Sequence, residues 1–430
     1  MSGAYRHRSR GQYHPRSWGS RIAGWPVDLY RYCSGKWDGW RRSARLRRSA
    51  LPLPSPDRQT VRRLAADWQR VRLADGGVGA DPSAHSSLLA DIRQRTARAN
   101  RNNVTRTAAY LAFYRRHPEV HWSLLAHMVS RNGGWNMTDL QGELLPRLLT
   151  PEQCLQTFLM LERANYLIFG DAYPQLLLYE AGLAAGRDLS RLLPELGVSR
   201  FMEPVWAGFY RRPEPALLTT ALIINEQQFI ESRVVRHPFY REHVLERFYF
   251  ALQAVLQFNQ VMFPYGGPAA MAGLILEDFE DIRERIAFGK RLYALLFRIP
   301  EIHQGVCAFV SGQPHTGSRA DYAPQLFTAT TSMGQHPGQY VERLRGRHLL
   351  RAAPPLYSPR LADAWPDRTA AEAEPGDWLD DADIDAISGY MAGLPLPRSF
   401  AIANEYGFAL DKLELAVLAK QTVVPASKAD

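Results

Sequence analysis

The sequence has too few cysteines for a disulfide framework. Its three, Cys33, Cys154 and Cys307, are odd in number and far apart, which fits a reducing compartment. Cys154 and Cys307 lie among apolar residues, where an inert buried thiol is expected rather than a nucleophile. Apolar runs are also short of the roughly 20 residues that a bilayer crossing needs. The longest, 155–169 and 248–263, are interrupted by Glu162-Arg163 and by Gln253, Gln257 and Asn259, and read as core helices. The basic N-terminus lacks the apolar stretch of a signal peptide, so a soluble, cytoplasmic protein is expected. Phosphate-loop, nucleophile-elbow and paired C-x-x-C signatures are missing. No motif is diagnostic of a reaction, and the residues leave enzyme status, cofactor and partners open.

Charge is present but unevenly placed. The formal net charge is +9, yet residues 1–48 carry 12 basic side chains against two acids, Asp28 and Asp38. The remainder holds 40 basic and 41 acidic residues, so the body gives no sign of a nucleic-acid surface. Residues 1–56 are rich in Arg, Ser, Gly and Pro without apolar periodicity. They read as a disordered tail, dispensable for folding. With Trp18, Trp25, Trp37 and Trp40 the tail has the chemistry to touch nucleic acid or an anionic membrane; the alternative is an extension without a role.

From Asp57 onward the pattern is helical. Asp57 can cap a helix through Val61, Leu64, Trp68 and Val71. A second starts near Ser86-Ser87, runs through Leu89, Ile92 and Thr96, breaks around Asn102-Asn103 and resumes through Tyr110, Phe113 and Tyr114. Thr150-Pro151-Glu152 combines a cap, a proline at the first position and an acid in the first turn. Further helices are expected over about 174–186, 200–211, 215–234, 239–260, 275–298 and 301–310. There is no series of short alternating strands. The fold class is therefore all-α: a multi-helix, bundle-like domain over 57–350. Residues 351–430 form an acidic, proline-rich stretch, expected to be loosely ordered, with a docking helix around Leu410, Leu413, Leu415, Val417 and Leu418.

A weak internal echo links two places. Pro118-Glu119-Val120-His121 and Pro300-Glu301-Ile302-His303 each follow an aromatic helix end. Each precedes an apolar helix ending in Val-Ser and then a polar, glycine-containing segment. The match is short enough to arise by chance.

Asn103-Val-Thr-Arg-Thr107, His117-Pro-Glu-Val-His-Trp122, the run from Ala126-His-Met-Val-Ser to Thr138-Asp-Leu140, and Pro314-His-Thr-Gly-Ser-Arg-Ala-Asp-Tyr322 resemble a bacterial uncharacterised family, domain of unknown function 2515. The resemblance covers roughly residues 90–330. It implies a bacterial, cytoplasmic origin and brings no activity, cofactor or partner.

Candidate chemistry concentrates in two segments read as loops, 131–139 and 312–322. Arg131, Asn132, Asn136, Ser318 and Arg319 are the ligand-binding candidates for a small anion; His121, His315, Asp139 and Asp321 are the acid/base candidates. Gly133, Gly134 and Gly317 permit unusual backbone angles that present amide N–H groups. Both segments should face one cavity. His315 should be neutral if Arg319 is nearer and protonated if Asp321 is nearer. The alternative is a helical scaffold or regulatory protein whose polar residues are caps, turns and a local Arg319–Asp321 pair. His117 and His121 have a spacing that can clamp a metal, but Pro118 puts His117 outside the helix, so no metal site is assigned. Asn225 shares a stripe with Leu218, Leu222 and Phe229, so it is buried and needs partners; with Glu226 it would suggest glycosidase chemistry only at the end of a strand.

Overall fold

The computed structural model describes residues 18–73, 85–245, 260–267, 270–330, 339–345, 348–368, 371 and 373–423, the side chains of 18–29, 245 and 423 aside. Helices dominate. In chain order they are α1 (Trp18–Arg47), α2 (Arg58–Leu73), α3 (Ser86–Ala99), α4 (Asn103–Arg116), α5 (His121–Asp139), α6 (Leu145–Leu148), α7 (Pro151–Ala185), α8 (Met202–Arg211), α9 (Pro215–Ile230), α10 (Ile282–Arg298), α11 (Pro300–Gly312), α12 (Ile384–Met391) and α13 (Ala403–Val423). The mostly helical class expected from periodicity is what the chain adopts.

Local chemistry sets the ends. Asp57 accepts from the Thr60 N–H at 2.8 Å, and Asn102 and Thr105 close a reciprocal box at the start of α4. Thr150 and Gln153 do the same for α7, with Pro151 at the first position, which satisfies donors that a helix start leaves without intrahelical acceptors. α7 continues through Pro174 to Gly186, whose φ of 64° closes the helix in the left-handed region.

Strand enters where helix was expected. Gln260–Pro264 (β1) pairs antiparallel with Met271–Ile275 (β2). Of the stretch Pro264-Tyr-Gly-Gly-Pro268, expected as a helix connection, Pro264 ends β1 and Tyr265–Gly267 follow it, with the Ala270 N–H donating to the Gly267 carbonyl; Pro268 lies outside the described residues. Of the helix expected over 239–260, only a short turn at Pro238–Tyr240 and a π-helical turn at Arg241–Leu245 are described; 246–259 lie outside the described residues.

One apolar cluster runs from Leu46 and Trp68 through α4, α5, α7, α9 and α10 to Leu410 and Val417. A smaller one gathers Met160, Leu167, Phe229 and Val234. The acidic stretch is tied to this body by directed contacts. Asp377 accepts from Ser199 Oγ and from the Arg200 N–H and Nε. Glu374 pairs with Arg163 at 3.1 Å. The Trp365 indole donates to the Met137 carbonyl and stacks on Phe158, centroids 4.1 Å apart.

The basic N-terminal segment differs from the expected tail. Residues 18–47 form α1, and its packing stripe is small rather than apolar, so a search for apolar periodicity passes over it. Tyr32, Gly35, Gly39, Ser43 and Leu46 recur every three or four residues and turn toward α13. A β-carbon on Gly35 would sit 2.2 Å from Asn404 Oδ1, and one on Gly39 would sit 2.7 Å from the Ala401 carbonyl oxygen. Ser43 Oγ donates to the Gly39 carbonyl and accepts from the Phe400 and Ala401 N–H groups. Residues 1–17 lie outside the described residues, as do the side chains of Trp18 and Trp25.

Ser43→Ala strands two buried backbone N–H groups and is expected to cost about 1–3 kcal/mol, read by chemical denaturation of the full chain. A chain beginning at Asp57 should melt markedly lower than the full chain; an unchanged midpoint would show that α1 contributes nothing to folding.

Candidate functional site

The two segments singled out in the sequence meet, although only one of them is a loop. Residues 131–139 are the last turns of α5. Gly133 and Gly134 therefore supply no left-handed turn, and helical continuity is possible because Trp135, Met137 and Arg131 on the same turns are buried against core. Segment 313–322 is the irregular partner. There Gly317 does have a positive φ, 87°, and its carbonyl accepts from Thr138 Oγ1 at 2.8 Å.

Gly134 has a different use. A β-carbon there would stand 2.4 Å from Asn103 Oδ1 and 2.9 Å from the His315 ring. The bare backbone leaves a passage in which His315 Nε2 meets Asn103 Oδ1 at 2.8 Å. Asn103 Nδ2 donates to the Ser130 carbonyl, Ser130 Oγ lies 2.6 Å from Thr107 Oγ1, and His127 Nδ1 is 2.8 Å from the Thr107 carbonyl oxygen, so Nδ1 carries the hydrogen. Asn103, Arg106 and Thr107 face inward together on α4. Arg106 joins buried Glu162 of α7 in an ion pair and donates to Asn100. These residues were missed as site candidates. The readable signal was a polar stripe at i, i+3, i+4, the same spacing that marks an apolar face.

The proposed anion clamps have acceptors within the protein. Arg131, 1% exposed, donates to the Gln313 and Pro314 carbonyls, with its guanidinium 4.6 Å from the Phe309 ring centre. Arg319 does not pair with Asp321. It pairs with Asp139, reaches Tyr406 Oη and lies 4.3 Å from the Trp135 ring centre. Burial alone would lower the Arg319 pKa, but Asp139 and Tyr406 outweigh it and raise it. Asp139 is raised by burial despite Arg319. Asn132 pins β1 to α5 by accepting from the Met262 N–H and donating to the Met262 carbonyl. Ser318 Oγ donates to the Ser358 carbonyl and caps the turn at Ala320. Asn136 is half-buried on α5.

Asp321 accepts from Thr316 N and Oγ1 at 2.7 and 2.9 Å. Burial pushes its carboxyl up, but His315 and these bonds outweigh it and hold it below the usual range. His315 Nδ1 stands 3.7 Å from Asp321 Oδ2, beyond hydrogen-bond reach. Burial first, then Arg131, lowers the His315 pKa against the opposing pull of Asp321. The cation beside His315 is thus Arg131, not Arg319, and the ring is neutral at pH 7.

His121 belongs elsewhere. It opens α5, ten residues from Arg131, which is about 15 Å along a helix. Its Nδ1 is 3.0 Å from Tyr293 Oη and its ring stacks on Phe297 at 4.0 Å. Burial and neighbouring His303 lower its pKa to about 4. The two echoed Pro-Glu corners therefore pack together, with Phe297 also 5.0 Å from the ring of His303. His117 turns to Glu180, at 3.1 Å, so the His117/His121 spacing gathers no metal pair. Among the described residues no cluster of three His, Cys, Asp or Glu side chains has metal-binding geometry, and no helix is long and apolar enough to cross a membrane. Burial raises the Cys154 thiol to about 11 and also raises Cys307.

A family model described as "Protein of unknown function (DUF2515)" matches residues 98–391. The chain belongs to this family. It is also similar to "Uncharacterized protein YppC" of Bacillus subtilis (strain 168), 44% identical over 241 residues, which is 56% of this chain and 75% of that protein. No solved structure matches. The DUF2515 match takes in the whole Asn103–His315–Asp321 network and starts well after α1.

A second polar knot in this DUF2515 chain surrounds Asp171 of α7, 3% exposed. Its Oδ2 accepts from Asn225 and Gln175, Asn225 Oδ1 accepts from the Trp378 indole at 3.0 Å, and Gln175 accepts from Trp206 at 2.8 Å. Asn225 is buried with partners, on a helix and not at a strand end. Half-buried Glu226 is raised well above the usual carboxylate range by desolvation and then by Asp171.

Two measurements follow. Gly134→Ala would push a methyl into the Asn103–His315 passage and is expected to cost about 2–4 kcal/mol from overpacking plus an orphaned buried acceptor; an unchanged denaturation midpoint would refute the role given to that gap. Burial raises Asp171 from 3.8 to about 7. The folded state then holds a proton that the unfolded state releases above about pH 4, so this group's contribution falls as pH rises from about 4 to 7, by at most about 4 kcal/mol. Unfolding free energies of wild type and Asp171→Asn from pH 5 to 8 should therefore converge or cross, with the wild type losing ground toward pH 8.

Proposed function

We propose that this protein is a non-catalytic helical scaffold or regulatory protein, and that the polar residues shared by α5 and 312–322 hold its architecture. One observation carries the reading. Arg131 and Arg319, the side chains suited to clamp an anion, direct their donors at protein acceptors: two backbone carbonyls, the Asp139 carboxylate and Tyr406. A clamp needs donors left for its ligand. His315 is likewise tied through Nε2 to Asn103. A surface cleft lined by Gln175, Tyr179, Ser190 and Trp206 lies apart from this cluster, on α7, α8 and the 188–193 turn, and has room for little more than a water molecule. The free thiols, two of them raised by burial, support a reducing, cytoplasmic location.

A second reading rests on a specific feature of the same cluster. Arg131 Nε and His315 Nδ1 are buried without a hydrogen-bond partner among the described residues. Orphaned polar atoms of this kind are costly, and a small anion held at Arg131 and Asn132, with His315 and Asp321 as the acid/base pair, would supply the missing contacts.

NMR of His315 separates the two. Inorganic phosphate, nucleotides and divalent metals, added in turn, should leave its ring signals unmoved; Arg319→Ala should lower stability by about 3 kcal/mol or more for loss of the buried partner of Asp139, and Arg131→Ala by about 1–3 kcal/mol for two backbone carbonyls left without a donor. A saturable shift with phosphate that Arg131→Lys abolishes, in a variant that still folds, would replace the scaffold with the anion site.

A further inference from the structure

The outward side of α1 carries large aromatic and basic side chains together. With Tyr32, Gly35, Gly39, Ser43 and Leu46 turned to the body, a repeat of 100° per residue puts Tyr30, Cys33, Trp37, Trp40 and Arg41 on the opposite face. They are exposed: Tyr30 by 74%, Trp37 by 59% and Trp40 by 49%. The two indoles stack on each other, centroids 5.2 Å apart. Lys36 and Arg47 flank this stripe on one side and Arg31 and Arg45 on the other. Over residues 30–48 there are seven basic side chains and one acid, Asp38. Aromatic rings held in water beside cations, on a helix whose other face is already docked, are a surface waiting for a partner that is both apolar and anionic.

We propose that α1 seats the protein on an anionic lipid bilayer, with Tyr30, Trp37 and Trp40 at the headgroup–acyl boundary and Lys36, Arg41 and Arg47 on lipid phosphates. Indole and phenol rings favour that boundary because one end is apolar and the other hydrogen-bonds. Basic side chains beside them add attraction to anionic headgroups, as in helices that lie in the membrane plane. The geometry favours lipid over nucleic acid. The face is convex, its centre sets Tyr30 and Trp37 beside a single cation, Arg41, and each indole has one ring face covered by the other instead of open to a base. The near-neutral body offers no basic track to continue such a contact. The family match begins at residue 98, so this seat is separate from the fold shared by the family and independent of the scaffold reading.

The test uses the full chain and vesicles of phosphatidylcholine with and without phosphatidylglycerol. Co-sedimentation should occur only with the anionic vesicles and weaken as salt rises. Trp37→Ala/Trp40→Ala, at exposed positions, should leave the melting temperature unchanged and lower partitioning by about tenfold or more. Cys33, the exposed thiol among a buried and a half-buried one, gives a second readout that changes neither indole: an environment-sensitive fluorophore there should shift to the blue on anionic vesicles. No partitioning, partitioning untouched by the double variant, or a label that stays in water would each overturn the proposal. So would binding of single- or double-stranded nucleic acid through α1 without vesicle binding.

Discussion

A missing side chain at Gly134 lets three elements share one hydrogen-bonded corner. Through that gap Asn103 of α4 reaches His315 of the 313–322 segment across α5. From this corner the network spreads by bonds that each fix the next: Asn103 to Ser130, Ser130 to Thr107, Thr107 to His127. On the other side Asp321 folds the 316–321 turn, Gly317 ties it to Thr138, and Arg319 reaches back to Asp139. Apolar packing is nondirectional and tolerates sliding of one helix on another. A polar corner does not, because any slip strands donors and acceptors away from water. The register of α4, α5 and the 313–322 segment is therefore set by polar geometry, and the surrounding leucines and tryptophans fill what that geometry leaves.

The same logic governs the acidic stretch. Its composition is that of unstructured chain, yet Trp365 and Trp378 send their indole N–H groups to Met137 and Asn225, while Arg163, Arg200 and Arg233 hold Glu374, Asp377 and the Gly376 carbonyl. Because Asn225 in turn donates to Asp171, the strap and the centre of α7 belong to one chain of bonds. An acid-rich segment folds when cations of the body face it. Those arginines lie scattered from 163 to 233, and no local reading of the strap can see them.

What the sequence made legible follows from range. Caps at Asp57 and Thr150 are local and were readable, as were the break at Asn102-Asn103 and the apolar stripes of α2, α3, α7 and α13. The two polar segments were identified as neighbours, but 131–139 was read as loop because Gly-Gly and Asn outweigh the pattern of helix on propensity. Burial of Trp135 and Met137 overrides that propensity. α1 was hidden for the opposite reason: the middle of its contact stripe is glycine and serine, which carry no apolar signal between Tyr32 and Leu46. The Arg319–Asp139 pair was unreadable because a nearer acid, Asp321, stood two residues away, and only the fold shows that Asp321 is occupied by Thr316.

Buried polar residues in a helical protein usually raise the question of catalysis. Three histidines share one electrostatic setting. His121, His127 and His315 are all shifted down by burial before any neighbour acts, so each is neutral near pH 7. His127 and His315 are each tied through one ring nitrogen to a backbone or side-chain acceptor, and His121 packs its ring on Phe297. Packed and bonded in this way, the rings orient the helices that carry them. In the interior the arginines of the cluster meet protein acceptors, Arg319 on Asp139 and Arg131 on backbone carbonyls. The outside of α1 is arranged differently. On α1, cations and aromatic rings stand together without an equal set of acids, and unbalanced surface is where a partner can gain free energy that folding has not already used. The outside of α1 is thus where a partner has most to gain, while the polar core gives that helix a body to stand on.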